Sequence, residues 1–227
     1  MERKCPYCGQ TLHYVAFKCT RCNKWVDNEV FNRLCEDDVK LIKGKDLIPF
    51  TPALLAMMII AMLKEDDLAE HDMQRRWGKR IDMIERFSLL AFNSFCFFKA
   101  ASFAKMKQGC KDIIKETLKA ALLQGIAELF NERVKPAPSL DILVDRGSFL
   151  YAKFEAVLHE LGTNASSQLK ASNAFGAIVF KDNTPISFTG LSLYTLFMET
   201  FKNMEKEFSK MFLIEEEDFD WKAVLHR

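Results

Sequence analysis

The chain has 227 residues, of which 49% are apolar, and its formal net charge at pH 7 is +1. This apolar content supplies a packed core and excludes a disordered chain, and the near-zero charge excludes a strong overall attraction to nucleic acid or anionic membranes. The length accommodates a small N-terminal module and one domain of ordinary size. We therefore predict a module at residues 1–28, a domain at residues 29–214 and an acidic tail at residues 215–227.

The N-terminal segment CPYCGQTLHYVAFKCTRC contains two CxxC pairs, Cys5/Cys8 and Cys19/Cys22. Each pair can present two thiolates from one tight turn to a single tetrahedral ion. A segment this short buries too little apolar surface to fold without a cross-link or an ion. We therefore predict that the four thiolates bind one structural zinc ion and leave no coordination position for a catalytic water.

Three alternatives for these cysteines are a redox CxxC, disulfides and an iron site. A redox motif needs a βαβ context, which the flanking sequence lacks. No signal-peptide pattern precedes Cys5, so disulfides are disfavoured and a reducing, cytoplasmic location is expected. Iron accepts the same four thiolates, and the spacing leaves it open as an alternative to zinc.

The turns of the module also have sequence signals. Gly9 follows the first pair and Asn23 follows the second, and both residue types adopt the positive φ that lets backbone amides point at the thiolates. Apolar and aromatic side chains of the module are predicted to pack around the sulfur atoms; they are Tyr7, Leu12, Tyr14, Phe17 and Trp25.

Residues 4–26 resemble the short zinc ribbons found at the N-termini of many bacterial proteins. The resemblance is carried by the motifs CPYCG and CTRC and by Leu12, Ala16, Lys18 and Trp25. It implies a two-knuckle structural zinc site with a docking or accessory role. Asn23 stands where that family usually has a second glycine, which changes no ligand.

Beyond the module, apolar residues recur with the period of α-helices, so we predict a mainly α, bundle-like domain. Its helices are predicted at residues 28–45, 52–64, 68–107, 111–134, 148–161 and 191–212. A polar loop with a short helical piece is predicted at residues 162–175, and one small β-hairpin at residues 177–180 and 186–188. No internal repeat of fixed period is evident.

Residues 47–63 contain no charged side chain. A membrane-spanning helix needs about twenty apolar residues, and Pro49 and Pro52 would interrupt this one. We predict a buried helix that begins at Pro52, with Thr51 as its N-cap, and keep membrane association as the alternative. The cysteines outside the module are predicted to be small buried hydrophobic residues; they are Cys35, Cys96 and Cys110.

Two groups of basic residues are candidates for phosphate contacts. The module contributes Lys18, Arg21 and Lys24. A predicted helix contributes Arg75, Arg76, Lys79 and Arg80. Acidic residues near the second group favour an ordinary solvated helix surface there.

The sequence contains no nucleophile motif, P-loop or dinucleotide-binding glycine pattern. We therefore predict a zinc-ribbon adaptor or accessory protein, without catalytic residues, that binds another protein or a further copy of itself. One alternative is a nucleic-acid-binding accessory factor that uses the basic module. Another is an enzyme or small-ligand receptor that uses the polar loop at residues 162–175. The acidic tail is predicted to contact the basic module, within one chain or between copies.

Overall fold

The computed structural model describes residues 3–12, 16–26, 29–65, 81–136, 138–162, 164–184 and 186–218. Within these ranges the chain is mainly α-helical, with eight α-helices and five short strands, which confirms the predicted fold class. The chain divides into two compact units. The first contains residues 1–52, 104–115 and 209–227, and the second contains residues 53–103 and 116–208. The predicted boundaries at residues 28 and 214 do not coincide with this division, and they stay a prediction about independent folding.

The first unit begins with an antiparallel pair of strands, β1 (Arg3–Lys4) and β2 (Thr11–Leu12). Two helices follow, α1 (Glu29–Arg33) and α2 (Glu36–Lys45). The sequence predicted one continuous helix here, but Cys35 between them has extended dihedral angles, with φ −68° and ψ 158°. Three further strands of this unit form a parallel sheet with β5 in the centre; they are β3 (Ile48–Phe50), β4 (Lys105–Met106) and β5 (Met211–Leu213).

The second unit consists almost wholly of helices. They are α3 (Pro52–Glu65), α4 (Met83–Ala100), α5 (Lys111–Arg133), α6 (Leu140–His159), α7 (Ala165–Phe180) and α8 (Phe188–Phe208). Pro52 of α3 and residues 111–115 of α5 are assigned to the first unit. Helix α4 packs against α6, α7 and α8, as its apolar second half predicts for a central helix. Its start is stabilised by a capping box between Asp82 and Glu85.

Aromatic rings fill the core of the second unit. The ring of Phe92 meets Phe154 and Phe175 edge to face, with centroid distances of 5.2 and 5.0 Å. Helices α7 and α8 cross closely because glycine lies at the contact: a Cβ atom on Gly190 would overlap the carbonyl oxygen of Ser172. This crossing holds the two helices at a separation that only a residue without a side chain permits.

Two of the predicted segments around residues 162–188 are wrong. The predicted loop and the first strand of the predicted hairpin form helix α7, and the second strand leads into helix α8. Asn164 caps α7 through its side chain, which accepts a hydrogen bond from the N–H of Ser167 at 2.8 Å. The hairpin that the structure does contain is the β1–β2 pair of the N-terminal module.

The positions of helix ends were predicted less accurately than the presence of the helices. Helix α6 begins at Leu140 instead of residue 148, with Ser139 in extended conformation before it. Helix α4 ends at Ala100 instead of residue 107, and α8 ends at Phe208 because the chain then enters strand β5. Helix α3 begins at Pro52, as predicted.

The uncharged segment at residues 47–63 divides between strand β3 and helix α3. In the part of the chain that the structure describes, no helix combines the length and apolarity needed to cross a membrane. Of the three other cysteines, Cys96 is buried as predicted, Cys110 is half-buried, and Cys35 is exposed, so the prediction for Cys35 is wrong.

Candidate metal centre

The thiols of Cys5, Cys8, Cys19 and Cys22 form a cluster in which all four Sγ atoms lie within 4.8 Å of one another. The Sγ–Sγ distance is 3.6 Å between Cys5 and Cys22 and also 3.6 Å between Cys8 and Cys19. A tetrahedral ion with metal–sulfur bonds of about 2.3 Å separates its sulfur ligands by about 3.8 Å. The four cysteines are therefore close enough to bind one metal ion, as their spacing predicted.

The first turn of the cluster is closed by backbone hydrogen bonds around Cys5. Its N–H donates to the carbonyl oxygen of Gln10 at 2.8 Å, and its carbonyl oxygen accepts from the N–H of Gly9 at 2.9 Å. Gly9 has a φ of +71°, which confirms the predicted left-handed position. The turn thereby brings the thiols of Cys5 and Cys8 to the same side.

The second turn repeats the first at positions 14 residues later. The N–H of Cys19 donates to Lys24 at 3.0 Å, and its carbonyl oxygen accepts from Asn23 at 2.8 Å. Asn23 has a φ of +58°, again as predicted, and an antiparallel bridge between Lys18 and Trp25 corresponds to the β1–β2 pairing. The module is thus an internal repeat that was not predicted, because besides the cysteines only Lys4/Lys18 and the apolar pair Leu12/Val26 correspond in sequence.

Burial follows the same repeat. Cys5 and its counterpart Cys19 are buried, whereas Cys8 and its counterpart Cys22 are half-buried. The two 3.6 Å sulfur pairs are also equivalent, because replacing Cys5 and Cys22 by their counterparts gives the pair Cys19 and Cys8. The cluster therefore has approximate two-fold symmetry, with two buried and two more accessible thiols.

The electrostatics of the cluster favour a cation. The backbone N–H of Cys22, followed by that of Arg21, lowers the pKa of the Cys19 thiol to about 6. At Cys8 the N–H of Gln10 also favours the thiolate, but desolvation and the contacts with the other thiols outweigh it and raise the pKa to about 11. One thiolate thus opposes the ionisation of its neighbours, and a bound divalent cation would let all four ionise.

The residues that shield the sulfur atoms differ in part from the predicted set. Leu12 packs against the cluster as predicted, together with Val26 and Ala16. Tyr7 does not shield the sulfur atoms, because 57% of its surface is exposed. Tyr14 lies outside the described residues.

Phe17 and Trp25 pack against α1 of the same compact unit. Their ring centroids lie 5.7 and 5.8 Å from that of Phe31, in edge-to-face geometry. Lys18 Nζ lies 2.6 Å from a carboxylate oxygen of Asp46, which follows α2 in the left-handed conformation. These contacts attach the cysteine module, defined here as residues 3–26, to the two short helices. Apolar periodicity indicated Phe31 as a helix position, but nothing in the sequence pointed to Asp46.

The basic residues proposed for phosphate contact have different environments. Lys18 is paired with Asp46, whereas Arg21 is exposed and Lys24 Nζ lies 4.7 Å from the centroid of the Tyr7 ring. The exposed side chains Tyr7, Arg21 and Lys24 are called the knuckle face below. The second predicted group lies outside the described residues; it comprises Arg75, Arg76, Lys79 and Arg80.

The described part of the acidic tail binds a different lysine. Glu215 and Asp218 contact Lys107 Nζ at 2.9 and 2.7 Å, and Arg33 donates to the carbonyl oxygen of Glu217 at 2.9 Å. Lys107 also holds the pKa of Glu215 below its usual range. These two carboxylates therefore do not make the contact with the cysteine module that we predicted for the tail.

Together these features define a mainly α-helical protein with a four-cysteine cluster of metal-binding geometry. Within the described residues, this cluster is the one group of three or more potential metal ligands that the fold brings together. The chain matches no protein-family model, and comparisons with characterised proteins and with solved structures also give no match.

Proposed function

We propose that the cysteine module is a structural zinc ribbon through which the chain docks onto a protein partner as an adaptor or accessory protein. The observation that carries this proposal is the convergence of four Sγ atoms within 4.8 Å from two protein turns. Four thiolates complete a tetrahedral shell, so neither water nor substrate has a coordination position, and the ion acts structurally. Soft thiolate ligands favour zinc, with iron as the alternative metal.

The arrangement around the module supports docking. One side of it is engaged by Phe31 and Asp46, while the knuckle face is exposed. Tyrosine and arginine are enriched among the residues that contribute most to protein–protein binding. Because a bound ion would hold both turns in one conformation, the backbone that carries Tyr7 and Arg21 would lose little additional freedom on binding.

Metal analysis and partner capture test the proposal together. The wild type is compared with Cys19→Ser/Cys22→Ser, which removes two ligands, and with Cys35→Ser, which removes an exposed thiol outside the cluster. We expect one equivalent of zinc in the wild type and the control, and none in the double variant. Crosslinking in nuclease-treated native lysate should recover a defined protein with the wild type and with Cys35→Ser, and should lose it with the double variant. Recovery that survives the loss of the metal would contradict the docking role.

A further inference from the structure

We propose that the knuckle face binds an acidic peptide segment of its partner. This inference rests on the proposed docking function and names the chemistry that would be recognised. It draws on three observations: the positive charge of the module, the placement of Lys24 over the Tyr7 ring, and the ion pair that occupies Lys18.

The charge of the module has one sign. Its described residues, 3–12 and 16–26, contain no aspartate or glutamate. Lys18 is engaged by Asp46 at 2.6 Å, so the exposed cations whose side chains are described are Lys4, Arg21 and Lys24. At 0.1 M salt the electrostatic potential of these cations extends over a Debye length of roughly 10 Å, which favours a partner segment with closely spaced carboxylates.

The placement of Tyr7 adds an apolar element to this charge. Lys24 Nζ lies 4.7 Å from the Tyr7 ring centroid. In an extended peptide, side chains two positions apart lie on the same face, so a carboxylate bound by Lys24 would bring the side chain two residues away against the ring. Arg21 can bind a second carboxylate in a bidentate manner. The face therefore fits a segment in which an apolar or aromatic residue lies two positions from an acidic one.

A nucleic acid fits this face less well. Proteins that bind duplex DNA through its backbone typically neutralise about six to ten phosphates, more than the exposed cations here can contact. Among the module's described residues Tyr7 is the one exposed aromatic ring, so no run of successive bases could stack on this face. We therefore assign the acidic peptide and make nucleic acid an outcome of the test.

The test is fluorescence anisotropy with two labelled peptides of about twelve residues, long enough to span the exposed cations at about 3.3 Å per residue. One repeats the sequence Glu-Ser-Phe-Ser, which places glutamate and phenylalanine two positions apart, and the other replaces each glutamate by glutamine. The zinc-loaded full chain is compared with Arg21→Glu, Lys24→Glu and the milder Arg21→Gln/Lys24→Gln. Lys170→Glu, an exposed helical lysine of the second unit, is the matched control. Each variant is first checked for bound zinc.

We expect the wild type and Lys170→Glu to bind the glutamate peptide, with affinity that falls on addition of salt. Each reversal should weaken binding by at least about tenfold, as should replacement of glutamate by glutamine. Equal binding by all zinc-loaded variants would overturn the inference, as would tighter, Arg21-dependent binding of single-stranded oligothymidine.

The two proposals can fail separately. If capture of the cellular partner needs the cysteines but is unaffected by Arg21→Glu and Lys24→Glu, the docking function holds and the acidic-segment inference is wrong. If the double cysteine variant still captures the partner, the docking function itself fails.

Discussion

Replacement of Phe31 by alanine tests whether the cysteine module folds together with α1 and α2. The Phe31 side chain is 9% exposed, and its ring meets Phe17 and Trp25 edge to face. Each such pair contributes about 0.5–1.5 kcal/mol beyond the area that it buries. If metal binding and folding of the module are coupled, the loss of both pairs weakens apparent zinc affinity by about 1–3 kcal/mol, or roughly 5- to 150-fold.

The assay is competition for zinc with a chromophoric chelator, at a pH where the thiols and the chelator are calibrated. Phe149→Ala is the matched control, because Phe149 is 51% exposed on helix α6 of the second unit. It should leave zinc affinity unchanged. A zinc dissociation constant for Phe31→Ala within about twofold of the wild-type value, a difference below thermal energy, would show that the module folds independently. That result would support the domain boundary predicted at residue 28.

Three further predictions concern the crossing of α7 and α8, an acidic residue between them, and the metal. Gly190→Ala should lower the free energy of unfolding, measured in urea, by about 1–3 kcal/mol or more, because the new Cβ atom overlaps Ser172. Gly44→Ala is the control: its Cβ atom would have no neighbour within 4 Å, so this change should be neutral or stabilising. Hydrogen bonds from the hydroxyls of Thr189, Thr184 and Ser187 hold the pKa of Asp182 well below its usual range. The stabilisation that these hydrogen bonds give the folded protein is therefore present above the pKa of about 3.9 that Asp182 has in the unfolded chain. It is lost as the pH falls toward the lower pKa that Asp182 has in the folded protein. Asp182→Asn should lower stability at pH 7 and flatten this acid dependence in urea titrations; an unchanged acid limb would contradict the assignment. Removal of the metal by a chelator should change the near-UV circular dichroism of Trp25, which packs on Phe31, while the far-UV signal of helices α4–α8 persists. A general loss of helical signal would refute the prediction that only the cysteine module depends on the metal.

The four-cysteine cluster could be predicted from the sequence because its determinants are local. A CxxC pair and the residue after it form one turn, so the spacing of the cysteines and the positive φ of Gly9 and Asn23 follow from short-range sterics. The surroundings of the cluster could not be predicted in the same way. Trp25 packs on Phe31 and Tyr7 is exposed, and both outcomes depend on which helix the module contacts.

The fold shows the same division between local and tertiary determinants. Helix α5 was predicted almost to the residue, since its apolar period is regular and Pro136 follows its end. Helix α7 was missed because its serine and asparagine residues favour turns when considered locally. In the structure Ser172 Oγ donates to the carbonyl oxygen of Gln168 at 2.8 Å within the helix, and Gly190 of α8 packs over Ser172. Tertiary packing therefore outweighs the local preference.

The two-fold repeat of the cysteine module explains how a symmetric metal site can present two different surfaces. Lys18 in the second half binds Asp46, whereas its counterpart Lys4 in the first half is exposed. Trp25 packs on Phe31, whereas its counterpart Thr11 is exposed. The strand positions of the second half are thus used to attach the module to α1 and α2, whereas the turns of both halves are accessible, with Tyr7 at the first turn and Arg21 and Lys24 at the second. The ion would need both halves, because each contributes two of its four cysteine ligands. Metal binding therefore accounts for the four thiols but not for the exposed Tyr7, Arg21 and Lys24, which support a surface for a partner.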